Sequence, residues 1–247
     1  MSRTRYVSTR KIKTEKQKRD SRFTTVILLY HSFASRMKAL GNIAMIGIND
    51  QEKLVDRHIS IIDKILSNYE LILSVGHDAY KVQQYVYKKY PSLNIRCVEN
   101  SNYEASNMCE SLRLAINNTS NNRMLIINGN IVFEEKLLQG MNMRQSETII
   151  SQESKNETLD IGVNVNEKTN LVEHISYGAL NTKWCEILYI PEENTINEMK
   201  KTLASNEFSN KVFYEFVNFM IQKNMKISYT VSNTQVLKIN NMNASRK

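Results

Sequence analysis

The stretch that most constrains the fold is an apolar run after Arg123, with the sequence Met-Leu-Ile-Ile-Asn. Its apolar residues do not alternate with polar ones, and a polar turn, Asn128-Gly129-Asn130, closes the run. Such a run is typical of a strand that is buried on both faces of a parallel sheet. Ligands of such sheets bind beyond the carboxyl ends of the strands, so the turn at 128–130 marks the expected binding site.

The chain before this strand alternates between short β-rich runs and segments with helical spacing. Residues 24–30 form the first β-rich run, and residues 52–68 repeat apolar positions with a helical period. Further strands are predicted at 71–75, 95–98 and 124–127, and helices at 79–89 and about 107–117. This βαβαβαβ order predicts an α/β fold, a three-layer sandwich with a mixed, mainly parallel central sheet.

The second half is less regular. Strands are predicted at 148–150, 160–165, 171–175, 226–231 and 235–239, and helices at 196–204 and 210–222. Residues 179–190 clearly match neither the period of a helix nor that of a strand. No linker rich in proline or glycine interrupts the sequence, so residues 23–247 are predicted to form a single domain.

The positive charge is concentrated at the N-terminus. The first 20 residues hold eight cations and two acidic residues, a net of +6 out of +8 for the chain. The cations are Arg3, Arg5, Arg10, Lys11, Lys13, Lys16, Lys18 and Arg19. Residues 1–22 are therefore predicted to be a flexible arm that contacts nucleic acid or an acidic protein surface. A solvated tail that aids solubility is the alternative.

The composition excludes several other classes of protein. With 41% hydrophobic and 23% charged residues the chain is typical of globular proteins. No apolar run approaches the roughly 20 residues of a membrane helix, so the sequence predicts no membrane partner and a cytoplasmic location. A phage origin, which the abundance of Asn, Ile and Lys would fit, would place the protein in a virion. The three cysteines lack the spacing of a zinc site or a disulfide framework.

Seven stretches of the sequence carry a resemblance to a known family. They are residues 40–48, 54–59, 73–77, 99–112, 125–133, 212–215 and 236–240. Together they resemble the sugar-phosphate and phosphocholine nucleotidyltransferases, from about residue 25 to residue 243. The resemblance implies the Rossmann-like, GT-A-type fold of that family.

The departures from this family fall at its catalytic positions. The phosphate-binding loop of the family is rich in glycine, whereas residues 30–37 read Tyr-His-Ser-Phe-Ala-Ser-Arg-Met. Ile43 matches the family's lysine, and Asn130 and Asn240 match its two metal-binding aspartates. An amide oxygen carries no net charge, and Mg²⁺ is usually held by carboxylates. The resemblance therefore implies a degenerate site with no catalytic residue and no bound metal at these positions.

The same resemblance locates a cleft for a nucleotide or another anion. Its candidate residues are Ser32, Ala34, Arg36, Lys38, Asn107 and Ser111. The two cations could hold an anionic ligand, or they could be solvated loop residues. Asn107 also fits the N-cap of the helix that follows it.

These features predict a non-catalytic binding or assembly component that acts with a protein partner and needs no cofactor. The first alternative is an active nucleotidyltransferase that transfers NMP to a phosphorylated small molecule. Such an enzyme would need Mg²⁺, held by Glu110, Glu215 or Asp160 in place of the missing aspartates. The second alternative is a nucleic-acid-binding protein that acts through the arm.

The nucleic-acid alternative predicts a strong dependence on salt. Because binding through lysine and arginine releases counterions, the affinity should fall by about a thousandfold between 50 and 200 mM salt if six or more phosphates are contacted. Filter binding to a DNA duplex measures this slope. Equal affinity after deletion of residues 1–20 would rule the alternative out.

Overall fold

The computed structural model describes six stretches of the chain. They are residues 23–30, 41–119, 122–151, 161–178, 182–234 and 236–239. The predictions made for the arm at 1–22, for the loop at 31–40 and for residues 240–247 fall outside them.

The first half of the chain follows the predicted alternation of strands and helices. Its elements are β1 (Thr24–Tyr30), α1 (Leu54–Ile65), β2 (Tyr69–Val75), α2 (Ala79–Lys89), β3 (Ile95–Glu99), α3 (Met108–Asn117), β4 (Met124–Asn128) and β5 (Ile131–Val132). A single turn of 3-10 helix at Ile43–Met45 precedes α1. The predicted βαβαβαβ order up to β4 is confirmed.

The second half contains one helix and one long strand that the sequence pattern did not resolve. Its elements are α4 (Glu135–Gln139), β6 (Glu147–Ser151), β7 (Ile161–Asn166), β8 (Leu171–Tyr177), β9 (Lys183–Ile190), α5 (Glu193–Leu203), α6 (Phe213–Gln222), β10 (Ser228–Ser232) and β11 (Leu237–Lys238). The ambiguous segment 179–190 contains β9, and α4 was not predicted. Within the described ranges no helix is both long and apolar enough to cross a membrane.

Nine of these strands form one mixed sheet, as predicted. Their order is β3-β2-β1-β4-β9-β6-β10-β8-β7. Neighbours from β3 to β4 are parallel, and so are β6 and β10, whereas β9 runs antiparallel to both β4 and β6. Parallel pairing therefore dominates in the first half only. The last strand, β11, pairs with β5 in a separate two-stranded sheet.

Helices cover both faces of the sheet, which explains the unbroken apolar runs in its strands. On one face Leu28 packs in a core with residues of α1, α2 and α4. On the other face Ile27 packs in a core with residues of α3, α5 and α6. All five residues of β4 are buried. These two cores make the fold the three-layer sandwich that the sequence predicted.

A buried histidine, His58, connects the end of β1 to the start of β5. Nε2 of His58 lies 2.8 Å from the carbonyl oxygen of Ile131, which can only accept, so this nitrogen carries the proton. Nδ1 consequently accepts from the hydroxyl of Tyr30 at 2.8 Å. The imidazole stacks between Tyr30 and Phe133, with ring centroids at 5.8 and 5.3 Å. The contacts of His58 therefore hold the end of β1 and the start of β5 together.

His58 makes the stability of the fold sensitive to acid. Burial lowers the pKa of His58 from 6.5 to about 4, so the unfolded chain takes up the proton first. The contribution of the neutral ring is complete above pH 6.5 and is lost as the pH falls towards 4. The loss amounts to about 3 kcal/mol of the free energy of unfolding.

Urea unfolding of the wild type and of His58→Gln between pH 7 and pH 4 measures this term. The glutamine variant should be less stable at pH 7, and the difference should shrink as the pH falls, because glutamine does not titrate. Parallel curves for the two proteins would show that His58 is not the titrating group.

Candidate functional site

The carboxyl ends of β1 and β4 meet where the chain leaves them in different directions. Leu29 of β1 is in register with Asn128, and the amide of Gly129 donates to the carbonyl of Leu29 at 2.9 Å. After β1 the chain continues to β2, which lies on one side of β1 in the sheet. On the other side of β1 lies β4, and beyond it β9. Crevices at such switch points are where α/β sheets bind ligands.

Gly129 allows the turn after β4 to lie directly against β1. A Cβ atom at this position would lie 2.7 Å from the carbonyl oxygen of Leu29 and would clash with the ring of Tyr30. A backbone oxygen cannot move away as a flexible side chain can. The turn at 128–130 is therefore held against the last residues of β1.

Two asparagines flank this glycine. The side chain of Asn128 donates to Glu186 and accepts from the amide of Asn130 at 3.4 Å. The carbonyl of Asn130 accepts from the amide of Ile239 at 2.8 Å. The Oδ1 atom of Asn130 is buried and has no hydrogen-bond partner among the described residues.

Glu186 reaches this place because β9 bulges. Between two regular pairs with β6, the single residue Ile149 faces three residues of β9, the middle one of which is Glu186. Its backbone adopts a φ of 55°, a left-handed conformation that costs a residue other than glycine about 1–3 kcal/mol. The hydroxyl of Thr148 secures the bulge, because it accepts from Nε1 of Trp184 at 2.7 Å and donates to the carbonyl of Ile187.

The carboxylate of Glu186 also binds a lysine from the C-terminal strand. One oxygen accepts from Asn128 and the other pairs with the ammonium group of Lys238. The side chains of Glu186 and Lys238 are 6% and 22% exposed. This ion pair fastens β11 to the middle of β9, beside the carboxyl end of β4.

The other buried carboxylates have structural roles away from this turn. Asp56 accepts from the hydroxyls of Tyr85 and Tyr90, at 2.7 Å each, and pairs with Lys89. Burial raises the pKa of Asp56, but these hydrogen bonds outweigh it and leave the pKa below its ordinary value. Glu70 and Glu147 are likewise hydrogen-bonded, the first to Thr25 and Thr119, the second to Thr230 and the backbone at residues 142–143.

The structure places only part of the predicted cleft. Ile43 is buried in the core, so the position that matches the family's lysine presents no polar group. Asn107 caps α3, and its side chain accepts from the amide of Met108 at 2.8 Å. This confirms the prediction that Asn107 is a helix N-cap. Ser111 is buried and accepts from the side chain of Asn100 at 3.0 Å. The remaining candidates are outside the described residues, namely Ser32, Ala34, Arg36, Lys38 and Asn240.

The carboxylates proposed for an altered metal site serve other contacts. Arg113 donates twice to Glu110, at 2.7 and 2.6 Å, and lowers its pKa. Glu215 caps the start of α6, because it accepts from the amide of Val212, and it also accepts from the ammonium group of Lys211. Asp160 lies outside the described residues. In the part of the chain that the structure describes, no three His, Cys, Asp or Glu side chains are grouped to hold a metal ion.

Sequence reasoning missed Glu186 and Lys238, the two charged groups at the turn. They are 52 residues apart. No pattern or spacing in the sequence indicates that the strands to which they belong lie side by side. Glu186 lay in the ambiguous segment because β9 is buried on both faces, so its residues do not alternate, and a charged residue interrupts its apolar run. A charged residue inside a long apolar strand was the available signal, and nothing in the sequence indicated its partner.

Comparisons with known proteins show which proteins share this fold. No protein-family profile matches the sequence, and no curated protein is significantly similar to it. Among solved structures, the inositol-1-phosphate CTP transferase of T. maritima is 13% identical with a TM-score of 0.72, over 92% of each chain. The CTP:phosphocholine cytidylyltransferase of Streptococcus pneumoniae is 15% identical with a TM-score of 0.69, over 91% of this chain and 96% of that one.

A third match supports the same assignment. The nucleoside-diphosphate-sugar pyrophosphorylase of Vibrio cholerae is 11% identical with a TM-score of 0.64, over 89% of this chain and 97% of that one. The chain therefore has the fold of the sugar-phosphate and phosphocholine nucleotidyltransferases, which confirms the fold expected from the resemblance. A likeness at these identities establishes the fold, and the activity has to be argued from the site.

The described residues do not fit the magnesium ion that the chemistry of this family implies. Hard divalent cations bind through charged oxygen ligands. Asn130 offers a neutral amide, and both oxygens of Glu186 are engaged by Asn128 and Lys238.

Gly129→Ala tests the close contact between the turn and β1. The added methyl group should lower the free energy of unfolding by about 3 kcal/mol, because neither neighbour can yield without displacing a strand. Gly140→Ala is the matched control, since its φ is −72° and its new Cβ would meet no atom closer than 3.6 Å. The control should stay within about 0.5 kcal/mol of the wild type. Similar losses in both variants, measured by urea unfolding, would contradict this account.

Proposed function

We propose that the protein is a nucleotidyltransferase-like binding or assembly component that does not catalyse nucleotidyl transfer. This proposal rests on one observation. The charge of Glu186, the buried carboxylate at the turn after β4, is balanced by Lys238. Asn130 beside it is neutral, and the position expected to supply a lysine is the buried Ile43.

The proposal follows from how phosphoryl and nucleotidyl transfer are catalysed. The protein contributes little covalent chemistry, and rate enhancement comes from positioning and from neutralising negative charge. A divalent cation and a lysine are the usual sources of that positive charge. In this chain the matching positions carry two amides and a buried isoleucine.

Binding partners are part of the proposal. The arm at 1–22 is suited to an acidic protein surface by its net charge, and Arg36 and Lys38 are suited to an anionic ligand. We propose a protein partner in a larger assembly, engaged through the arm, which precedes the nucleotidyltransferase-like domain at 23–247.

An active nucleotidyltransferase is the second candidate, because proteins that share the fold of this chain have that activity. The matched proteins include a CTP transferase and a cytidylyltransferase. Such an activity in this chain would need metal ligands other than Asn130 and Asn240, supplied by the nucleotide phosphates or by residues such as Asp160.

A pyrophosphate-release assay separates the two candidates. With Mg²⁺, CTP or UTP, and phosphocholine or a sugar 1-phosphate as acceptor, the purified protein should release no pyrophosphate above background. The highest rate compatible with this background should lie at least about a thousandfold below the rate of an active enzyme, because charge neutralisation alone accelerates such reactions by factors of this size. Metal-dependent release that disappears in the Asp160→Asn variant would establish the active candidate, with Asp160 as a metal ligand. Release that is unchanged both in this variant and in the Arg36→Ala, Lys38→Ala double variant would indicate a contaminating enzyme.

A further inference from the structure

The positive charge that lies outside the arm is concentrated in one segment, residues 79–98. This segment contains four tyrosines, no acidic residue and four cations, namely Lys81, Lys88, Lys89 and Arg96. Because the net charge of the chain is +8 and the first 20 residues hold +6 of it, all residues outside these two segments together carry −2. The segment forms α2 and β3, and β3 is the edge strand of the nine-stranded sheet.

The four tyrosines of this segment divide into an inner and an outer pair. Tyr85 and Tyr90 donate to the carboxylate of Asp56 and so belong to the contacts between α1 and α2. Tyr80 and Tyr87 face the solvent instead, with 68% and 42% of their surface exposed. A helix on a globular protein buries its apolar stripe and presents polar residues to water. Two exposed rings on the outer face of α2 therefore need another explanation.

A pair of residues, tyrosine followed by lysine, recurs after seven positions on this outer face. Tyr80 and Lys81 are followed by Tyr87 and Lys88, and all four residues are exposed. Since seven residues are close to two helical turns, the two tyrosines lie on the same side of α2, about 10 Å apart along its axis. Each ring has a lysine next to it in the sequence, so rings and cations form two parallel rows.

Hydrogen bonds hold both exposed rings in place. The side-chain amide of Gln84 donates to the hydroxyl of Tyr80. The backbone amide of Cys97, in β3, donates to the hydroxyl of Tyr87 at 3.3 Å. A side chain that is already fixed loses less conformational entropy when a ligand binds to it. The outer face of α2 thus offers two preorganised aromatic surfaces.

The two lysines of this face are available to an external anion. Lys81 pairs with Asp78 at 3.0 Å, but its side chain is 69% exposed, and an ion pair at the surface contributes little. Lys88 is exposed as well. The other two cations of the segment make contacts within the fold.

We propose that the outer face of α2 binds single-stranded nucleic acid, with bases stacked on Tyr80 and Tyr87 and phosphates bound by Lys81 and Lys88. Proteins bind unpaired strands through aromatic rings beside basic side chains, because every base has a flat π-face and every nucleotide a phosphate. A duplex does not expose the faces of its bases, and an acidic protein surface needs the lysines only. This inference goes beyond the proposed function and does not depend on the absence of catalysis.

Fluorescence anisotropy with labelled single strands of about 15 nucleotides tests the proposal on the full-length protein. Oligothymidylate and oligouridylate are the two probes, because DNA and RNA share the chemistry of stacking and of phosphate binding. Tyr80→Ala and Tyr87→Ala should each weaken binding of the preferred probe at least about fivefold, the smallest effect expected when one stacked base is lost. Binding of a duplex of the same length should not change.

Matched variants show whether the rings are responsible. The Tyr80→Phe, Tyr87→Phe double variant keeps both rings and should bind about as tightly as the wild type. Tyr177→Ala removes a tyrosine of β8 that is 57% exposed, and it should leave the affinity unchanged. The arm is present in every variant, so its contribution cancels in these comparisons. If Tyr87→Ala does not fold, Tyr80→Ala alone decides the test.

The phosphate contacts are measured by the Lys81→Gln, Lys88→Gln double variant. Each phosphate that a lysine neutralises on a single strand contributes about 0.7 to the slope of log affinity against log salt concentration. The slope should therefore become less steep by about 1.4 in the double variant.

The inference is overturned if the alanine variants at Tyr80 and Tyr87 bind single strands as the wild type does, or if Tyr177→Ala loses as much affinity. It is also overturned if polyglutamate competes as well as an unlabelled single strand, which would assign the face to an acidic protein. The pyrophosphate assay is independent of these outcomes, because it measures transfer between small molecules. Release of pyrophosphate would overturn the proposed function and leave the role of α2 standing.

Discussion

The parallel pairing of β1 with β4 is the constraint on which the rest of the molecule depends. It places the turn at 128–130 against the end of β1, and only glycine fits at the point of contact. His58 reinforces the same junction from the helical layer, since it joins Tyr30 to Ile131. The two core layers are built outward from these strands, and the turn that carries Asn128 and Asn130 is positioned by this junction.

The fold was largely predictable because its signals are local. The alternation of apolar runs and helical periods defined the first seven elements, and residues 24–30 and 79–89 were predicted with the bounds that the structure has. The short helix α4 escaped because five residues show too little of a helical period. The strand β9 escaped because it is buried on both faces and a charged residue interrupts its apolar run.

The site was much less predictable, because its groups meet through tertiary structure. The turn at 128–130 was found from its place after a buried strand, and Asn107 from the general preference for asparagine at helix starts. The pairing of Glu186 with Lys238 depends on a bulge and on a two-residue strand, which have no sequence signature. Expectations for the loop at 31–40 and for Asn240 remain predictions.

The pairing of β11 with β5 also has a consequence for the order of folding. Leu237 pairs with Val132, so the contact closes a loop of more than 100 residues. Contacts that distant carry a large entropic cost and tend to form after local structure. On the ribosome, the strand that carries Lys238 emerges only after the rest of the sheet has been synthesised. The nascent domain should therefore present Glu186 without Lys238 until β11 has been synthesised, which makes their ion pair a late contact in folding.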